Sequence, residues 1–450
     1  MFFTYLQSLC ILTILGLAAC SGAQTSLPNS SNLSAAPSGV GGPPAPDAAA
    51  LSSTAKISSI TLSLQSASPA QCGPTVTVPL TVVAKDATGK VITGTYASPI
   101  NLSDSDTSGA TKLSTATLTS SSTPVTVTYN GAAITSATFS ASSSGVSASN
   151  VHVAVLTPSQ LVYVANQGNG GNGSVTIFSA AAKGNVAPLR TIAGGNTKLN
   201  YPAGVAHDTQ CNVYVSDYNQ NKIFKFASGA NGNVAPVATI NLTSLGQPEQ
   251  IVIGSTGKLY VAEVGGYIQE FAPGANGNAV PIATITSYAP CGDGSGLGNT
   301  YGIALDAQQN IYVSNESNNC IAVFAAGANG RSTPLRTIGG SKSGMDKSYG
   351  PYGVAIGPTG KIYLTLFSYY IGHHDLVYAA GASGNVSPLQ NIVTSDSGYG
   401  IAVNSAGNIY ISTLTNAIKV FAPNATGSAT PVATIAGSNT KLNNPRFISI

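Results

Sequence analysis

PAGVAHDTQCNVYVSDYNQNKIFKFASGANGNVAPVATI, residues 202–240, is the stretch that decides the fold of this 450-residue chain. It contains four short runs rich in Val, Ile, Phe and Tyr, separated by Gly, Asn, Asp and Pro. Such runs predict four β-strands joined by tight turns. We place the strands at residues 204–208, 213–216, 222–226 and 237–240. The stretch is therefore one four-stranded antiparallel unit.

The second half of this unit recurs along the chain at intervals of roughly 40 to 55 residues. The copies are IFSAAAKGNVAPLRTI, KFASGANGNVAPVATI, EFAPGANGNAVPIATI, VFAAGANGRSTPLRTI, VYAAGASGNVSPLQNI and VFAPNATGSATPVATI. A period of this length with four strands per unit is typical of a β-propeller blade, so the repeats predict a six-bladed β-propeller over residues 158–450. We expect the last residues, 446–450, to supply the inner strand of the first blade and to close the ring.

The unit P-x-G-[IV]-A-x-D…G-x-[IL]-Y-V-[AS]-[DN] resembles the repeat of NHL-type six-bladed propellers over essentially all of residues 158–450. Some six-bladed relatives, the lactonase-like enzymes, hold one divalent cation at the channel mouth with a Glu, an Asn and an Asp. This resemblance implies a site for calcium or another divalent cation formed by the oxygen-bearing side chains that follow the second strands. These residues are Asn166, Asp217, Glu263 and Asn315. The alternative is that they are polar residues ending strands at a solvated rim.

Residues 56–157 alternate between apolar and polar positions, with turn signals such as Asn130-Gly131 between the runs. Strands that recur every ten residues or so over this length suggest a β-sandwich. The segment resembles a bacterial Ig-like domain in the Asp-x-x-Gly-Lys turn at residues 86–90. Such modules generally serve as spacers or adhesive units. The expected fold class is therefore all-β, with an Ig-like β-sandwich followed by the six-bladed propeller.

The first twenty residues, MFFTYLQSLCILTILGLAAC, are apolar and end in Leu-Ala-Ala-Cys. This ending resembles a bacterial lipobox, which implies a signal peptide at residues 1–19 and lipidation of Cys20. Ser21 then favours an outer-membrane destination. The alternative is an uncleaved membrane anchor, because the apolar run is near the minimum spanning length of roughly 18 to 20 residues. Residues 20–55, rich in Ser, Ala, Pro and Gly, predict a disordered tether. Either interpretation places the rest of the chain outside the cytoplasm.

The cysteines of the exported chain predict disulfides. Four remain after export, and an even number in such a protein suggests disulfides. Cys291 precedes the inner strand of blade four and Cys320 follows its second strand, so we predict that they pair. Cys72 and Cys211 would then remain for a second bridge.

The charged residues exclude one class of partner. The chain has 18 basic and 15 acidic residues, scattered along its length, for a net charge of +3. No dense cationic stripe is present to neutralise phosphates, so nucleic acid is not an expected partner. We expect a monomer that contacts the membrane through its lipid anchor and binds a protein, peptide or glycan ligand.

Comparison of the six copies separates two faces of the propeller. The GANGNVAP loops are nearly constant, whereas the blade-to-blade connections and the second-to-third loops vary, and binding is more common where copies diverge. Residues entering the inner strands on this variable face include Glu249 and Gln250 and a set of ligand-binding candidates. These candidates are Tyr201, Tyr301, Tyr352, Tyr399 and Arg446. The tyrosines suit either a platform for a sugar or peptide or simple rim packing.

The long loop predicted at residues 367–375 adds Tyr370, His373 and His374 to the ligand-binding candidates. The two histidines are adjacent, so in an extended segment their rings point to opposite sides and do not easily share a metal ion. No complete set of nucleophile, base and orienting residue can be assembled from the sequence, and we assign no catalytic residue.

The favoured interpretation is a cell-envelope lipoprotein that presents a binding propeller, with no cofactor assigned beyond the calcium or other divalent cation implied above. One alternative, implied by the family resemblance, is a metal-dependent lactonase- or lyase-like propeller enzyme. The other is a purely structural envelope protein.

Overall fold

The structure, a computed structural model, describes residues 55–64, 75–132, 134, 136–155, 157, 160–243, 246–287, 291, 296–345, 350–367 and 373–450. The predicted signal peptide, the lipidation site Cys20 and almost all of the predicted tether lie outside these residues, as do Cys72 and Tyr370. Within the described ranges, no helix has the length and apolar character needed to cross a membrane.

The described residues between 59 and 154 form two antiparallel sheets around one core. Their strands are β1 (Ser59–Leu64), β2 (Val76–Lys85), β3 (Thr95–Asp104), β4 (Thr111–Leu113), β5 (Thr117–Ser120), β6 (Thr126–Tyr129), β7 (Ser136–Ser143), β8 (Val146–Ser147) and β9 (Val151–Ala154). The strand orders are β1-β2-β6-β4 and β5-β3-β7-β8, with β9 also paired to β7. Alternate side chains of both sheets, including Leu80, Val127, Ile100 and Phe139, are buried in the shared core, as in a β-sandwich. Membership of the Ig-like class stays a prediction.

From residue 161 onward, the described residues form six blades of four antiparallel strands each. Blade 1 contains β10 (Leu161–Asn166), β11 (Ser174–Ser179) and β12 (Arg190–Ala193), and blade 2 contains β13 (Pro202–His207), β14 (Val213–Asp217), β15 (Lys222–Phe226) and β16 (Ala238–Asn241). Blade 3 contains β17 (Pro248–Ile253), β18 (Leu259–Glu263), β19 (Tyr267–Phe271) and β20 (Ala283–Thr286). Blade 4 contains β21 (Thr300–Leu305), β22 (Ile311–Asn315), β23 (Cys320–Phe324) and β25 (Arg336–Gly339), with the short β24 (Gly330–Arg331) in its outer loop. Blade 5 contains β26 (Gly350–Ile356), β27 (Ile362–Phe367), β28 (His373–Tyr378) and β29 (Gln390–Thr394). Blade 6 contains β30 (Gly398–Val403), β31 (Ile409–Thr413), β32 (Ala417–Phe421) and β33 (Ala433–Ala436), and β34 (Pro445–Ser449) returns to blade 1. Short 3-10 helices occupy Gly195–Thr197, Glu316–Asn318 and Ser438–Thr440.

The blades are arranged as a closed ring. The inner strands β34, β13, β17, β21, β26 and β30 contact one another in that order, and β30 contacts β34. They surround an axial channel with a cavity of about 300 Å³. β34 pairs with β10, so the first and last parts of the propeller share blade 1. The prediction of an all-β fold containing a six-bladed propeller is confirmed.

Glycines in the inner strands allow neighbouring blades to approach. A methyl group at Gly302 would lie 2.2 Å from the carbonyl oxygen of Tyr352 in the next blade, so a side chain there would force the strands apart. The hydroxyl of Ser314 on β22 accepts a hydrogen bond from the Gly302 N–H at 2.6 Å and donates one to the Tyr352 carbonyl at 2.6 Å. One side chain therefore joins its own inner strand to the next.

The same hydroxyl link recurs in three further blades, where the donors are Ser216, Thr365 and Ser412 and the acceptors are the carbonyl oxygens of Glu249, Tyr399 and Arg446. Blades 1 and 3 lack it because the Gly/Ser pair is replaced by Phe447 with Ala165 and by Gln250 with Ala262. In blade 3 the Gln250 side chain makes the connection itself, accepting a hydrogen bond from the Ile303 N–H at 3.1 Å.

The nearly constant GANGNVAP loops join neighbouring blades at their outer edges. A glycine of each loop forms a parallel bridge with the outermost strand of the preceding blade. The bridged pairs are Ile192–Gly232, Ile240–Gly277, Ile285–Gly330, Ile338–Gly384, Ile392–Gly427 and Ile435–Gly184. The side-chain oxygen of Asn276 also accepts a hydrogen bond from the Thr239 N–H at 3.0 Å across the same junction. These loops are alike because each performs the same packing task.

Candidate functional site

Each inner strand has a register shift shortly after it begins, which is a β-bulge opposite the second strand. The first bulged residue of each strand occupies the same position of the repeat. Around the axis these residues are Arg446, Ala203, Glu249, Tyr301, Tyr352 and Tyr399. We call them the bulge ring. A bulge interrupts the two-residue alternation of a strand and redirects a side chain, and here it places the ring on the variable face of the propeller.

Three tyrosines of the bulge ring pack against one another. Tyr301 and Tyr352 stack with ring centroids 4.1 Å apart, and Tyr352 meets Tyr399 edge-on at 5.1 Å. Tyr399 is buried, whereas the other two are half-buried. Burial raises the pKa of Tyr301 to about 12 and also raises the pKa of Tyr399 well above its ordinary value. All of this side of the ring is therefore neutral and aromatic at neutral pH.

The opposite side of the ring carries ionisable groups. The Arg446 guanidinium carbon lies 4.2 Å from the centroid of the Tyr399 ring, a cation–π contact, and its Nη2 donates to the Tyr201 hydroxyl at 2.9 Å. Arg446 Nε donates to the Gln167 side-chain oxygen at 2.5 Å. Glu249 is buried, and its Oε2 accepts a hydrogen bond from the Tyr399 hydroxyl at 3.5 Å. Burial raises the pKa of Glu249 to about 8, although the charge of Arg446 and the Tyr399 hydroxyl act in the opposite direction.

Two adjoining cavities of about 510 and 440 Å³ lie on the variable face between blades 1 and 2, and we call them together the blade 1–2 cleft. The larger is lined by residues 167–171 with Asn200, Tyr201, Asn219 and Asn444. The smaller is lined by residues 171–173, 193–195 and 198–200 with Gln220. Amide side chains and glycine backbone therefore form most of the walls. Tyr201 and Gln167 also bind Arg446, so the cleft borders the bulge ring.

The four residues predicted to bind a cation are the last residues of their second strands and are fully buried. Three of them hold the loops that lead between blades. Asp217 Oδ2 accepts hydrogen bonds from the N–H groups of Asn200 and Tyr201 at 2.7 and 3.0 Å. The side-chain oxygens of Asn315 and Asn166 each accept a backbone hydrogen bond at 3.2 Å. Glu263 occupies the equivalent position in blade 3.

No group of three His, Cys, Asp or Glu side chains in the described ranges is placed to hold a metal ion. The side-chain oxygens of Asn166 and Asn315 can also bind a hard cation, so the cation site stays a prediction.

The prediction that residues 367–375 form one loop is wrong at both ends. β27 continues through Phe367 and β28 begins at His373, because residues 373–377 pair along β29 from Thr394 to Gln390. His374 Nδ1 lies 2.9 Å from the side-chain oxygen of Asn391. Backbone pairing thus overrides the polar character of the two histidines, which lie in the third strand of blade 5 rather than in the bulge ring.

Asp375 follows the histidines and has an unusual environment. Its side chain is 1% exposed, and neither carboxyl oxygen has a hydrogen-bond partner among the described residues. Burial raises its pKa to about 8, opposed by the charge of Lys419. Gly398 of blade 6 packs so closely that a methyl group there would lie 2.9 Å from Oδ1.

Cys291 and Cys320 form a disulfide with a Cα–Cα distance of 6.2 Å. The bridge ties the connection entering blade 4 to the start of β23. The proposed pairing of Cys72 with Cys211 lies outside the described residues because Cys72 is not among them.

The structure brings together Tyr201, Tyr301, Tyr352, Tyr399 and Arg446 from the predicted ligand-binding set. It adds Gln167, Ala203 and Glu249, which were not in the set, and Tyr218, whose ring centroid lies 5.4 Å from that of Tyr201. A signal for the ring was present in the repeats. In four copies the residue before the inner-strand glycine is Ala once and Tyr three times. In the other two copies the equivalent residue is Glu or Arg. The chemistry of this position therefore changes from copy to copy.

No protein-family profile matches the chain, and no curated protein matches it. Among solved structures it is similar to a protein of unknown function from Bacteroides caccae, with 11% identity, 64% of this chain and 97% of that chain covered, and a TM-score of 0.45. It is also similar to the WD40 domain of Toxoplasma gondii coronin, with 13% identity, 61% and 68% coverage, and a TM-score of 0.39. At these values neither likeness indicates what the chain binds, and the propeller fold is established by its own sheet topology.

Proposed function

We propose that the propeller is an NHL-type repeat domain that binds glycans and belongs to a lipid-anchored protein of the cell envelope. The observation that carries the proposal is the blade 1–2 cleft, whose amide and glycine walls run into the tyrosines and Arg446 of the bulge ring. Asn and Gln side chains offer both donors and acceptors, which match sugar hydroxyl groups. Half-buried tyrosines offer flat apolar faces with a polar tip.

A protein or peptide ligand is less well supported by this geometry. A peptide would require apolar pockets for its side chains or a free strand edge, whereas the lining of the cleft is mainly amide groups and backbone. A concave polar surface fits a chain of hydroxyl groups better.

A glycan array and a peptide array, both probed with the purified full chain in detergent, test this proposal. We expect glycan binding that weakens at least tenfold in Tyr201→Ala and in Tyr352→Ala. Leu335→Ala is the control, because Leu335 is 57% exposed on the outer rim, away from the cleft. Capture of peptides alone, or glycan binding that neither tyrosine variant alters, contradicts the proposal.

A further inference from the structure

The Arg446 guanidinium group forms no salt bridge with a described residue. No ion pair between described residues includes it, and both of its acceptors are neutral, the Gln167 amide at 2.5 Å and the Tyr201 hydroxyl at 2.9 Å. Its remaining nitrogen, Nη1, has no acceptor in the described part of the chain. A half-buried charge is costly unless an anion compensates it. The centre of the bulge ring is therefore suited to an anion.

Glu249 does not supply that anion at neutral pH. Its side chain is 4% exposed, and among the described residues it receives only the long hydrogen bond from Tyr399 at 3.5 Å. With a pKa raised by burial to about 8, the carboxyl group is mostly protonated at pH 7. A protonated carboxyl group donates a hydrogen bond, so Glu249 presents a donor to the ring rather than a negative charge.

Ala203 lies between Arg446 and Glu249 around the axis and has the smallest side chain of the bulge ring. Tyr201 and Tyr218, whose ring centroids are 5.4 Å apart, flank the same side. This part of the ring thus combines a cationic donor and a neutral acid donor on either side of a methyl group. The three remaining positions of the ring are filled by tyrosines.

We propose that the Arg446–Ala203–Glu249 sector of the bulge ring binds the carboxylate of an acidic sugar of the hexuronic acid class. The proposal rests on the glycan-binding function above and names the class of sugar. The carboxylate accepts hydrogen bonds from Arg446 Nη1 and from the Glu249 carboxyl group, while the rest of the glycan extends into the blade 1–2 cleft. Charge-assisted hydrogen bonds of this kind are roughly twice as strong as neutral ones. Loss of the Arg446 contact is expected to weaken binding by about 10- to 100-fold.

The arrangement predicts a pH dependence. Arg446 on β34 and Tyr399 on β30 act on the pKa of Glu249. The charge of Glu249 in turn acts on Tyr301 on β21 and on Tyr218 after β14. Glu316 also acts on Tyr301. All three tyrosines have raised pKa values and stay neutral up to pH 9. Among these groups, Glu249 is thus the one that gains charge between pH 7 and pH 9. The charged form repels a carboxylate, so the dissociation constant is expected to rise about tenfold over this range.

The probes for the test are trigalacturonic acid, its methyl ester, neutral galactotriose and an acetylated dipeptide with a free C-terminal carboxylate. Binding to the full chain is measured by calorimetry at pH 7 and pH 9. Arg446→Gln removes the cation, Arg446→Lys keeps the charge without the planar fork, and Glu249→Gln keeps a donor that cannot ionise. Lys441→Gln is the matched control, because it removes one exposed cation outside the ring and the cleft. Thermal unfolding verifies that each variant is folded.

We expect the acid to bind at least tenfold more tightly than the ester and galactotriose, and this preference to disappear in Arg446→Gln but not in Lys441→Gln. We expect Glu249→Gln to bind the acid equally well at pH 7 and pH 9. Equal binding of acid and ester by the parent protein overturns the carboxylate site but leaves glycan binding intact. Binding of the dipeptide without the sugar acid retains carboxylate recognition and overturns the glycan. Absence of binding to every probe overturns the acidic-sugar proposal, and a blank glycan array would separately overturn the proposed function.

Discussion

Replacing Asp375 by asparagine should stabilise the protein at alkaline pH relative to acid pH. Asp375 is buried without a hydrogen-bond partner among the described residues, and burial raises its pKa from 3.8 to about 8. The folded protein therefore keeps a proton that the unfolded chain releases above pH 4. The free energy of unfolding falls as the pH rises through this window and becomes level above pH 8.

The magnitude follows from the width of the window. Each pH unit between the two pKa values corresponds to about 1.4 kcal/mol. Between pH 5 and pH 8 the parent protein therefore loses about 4 kcal/mol of stability that Asp375→Asn retains. The amide of asparagine also costs about 1 to 3 kcal/mol when it is buried without partners. That cost is independent of pH and does not affect the change between pH values.

Urea unfolding followed by tyrosine fluorescence measures this effect, since the chain has 20 tyrosines and no tryptophan. The quantity compared is the difference in unfolding free energy between variant and parent at pH 5, 7 and 9. The contribution of Glu249 titrates in the same direction but is common to both proteins, so it cancels.

Asp396→Asn provides a control with the opposite behaviour. Burial opposes ionisation of Asp396, but the Lys419 ammonium group at 2.6 Å and the Thr415 hydroxyl outweigh it and lower the pKa. The ionised Asp396 carboxylate therefore stabilises the folded protein above pH 4, and this stabilisation is lost in acid. We therefore expect Asp396→Asn to be destabilised at every pH from 5 to 9, without the relative gain at alkaline pH that is expected for Asp375→Asn. A difference for Asp375→Asn that stays flat from pH 5 to pH 9 would refute the reasoning, because it would show that the carboxyl group is ionised in the folded protein.

Three further outcomes follow from the packing. Gly302→Ala should lower the free energy of unfolding by more than about 2 kcal/mol, because its methyl group meets a backbone carbonyl. Gly195→Ala is the control and should have little effect, because the space around Gly195 is open. Similar losses for both variants would contradict this reasoning. Cys320→Ser should lose about 3 to 4 kcal/mol under oxidising conditions, given the 29-residue separation of the bridge, and should match the parent protein after reduction. Deletion of residues 446–450 should expose one edge of β10 and give oligomers in size-exclusion chromatography, and a monomeric, folded product would contradict the role of β34.

The sequence allowed the propeller to be predicted because each blade repeats the same alternation of apolar and small residues. The strands of blade 2 were placed within two residues at most of their observed ends, and the third strand, Lys222–Phe226, was placed at its observed bounds. Blade 5 was harder to interpret because its third strand begins with His-His-Asp, and local polarity gave no sign of the pairing that makes it a strand.

The candidate site was only partly predictable. The tyrosines and Arg446 stood out as variable residues before each inner strand, but their common placement on a bulge depends on backbone pairing that no single residue type encodes. Glu249 was noted among the lead-in residues without a role, because its raised pKa arises from burial next to Tyr399 and Arg446. Gln167 and Tyr218 come from other loops and meet the ring only in the folded propeller.

The closure of blade 1 also determines how the propeller responds to mechanical load. Tension applied to the chain ahead of Leu161 enters through β10, which is hydrogen-bonded to β11 on one side and to β34 on the other. Two ladders therefore resist extraction of this strand by shear, where a terminal edge strand would have one. β34 also carries Arg446, so the strand that bears part of the tension also holds the cation of the proposed sugar site. A force on the chain before Leu161 would therefore act on the same sheet as the proposed ligand contact.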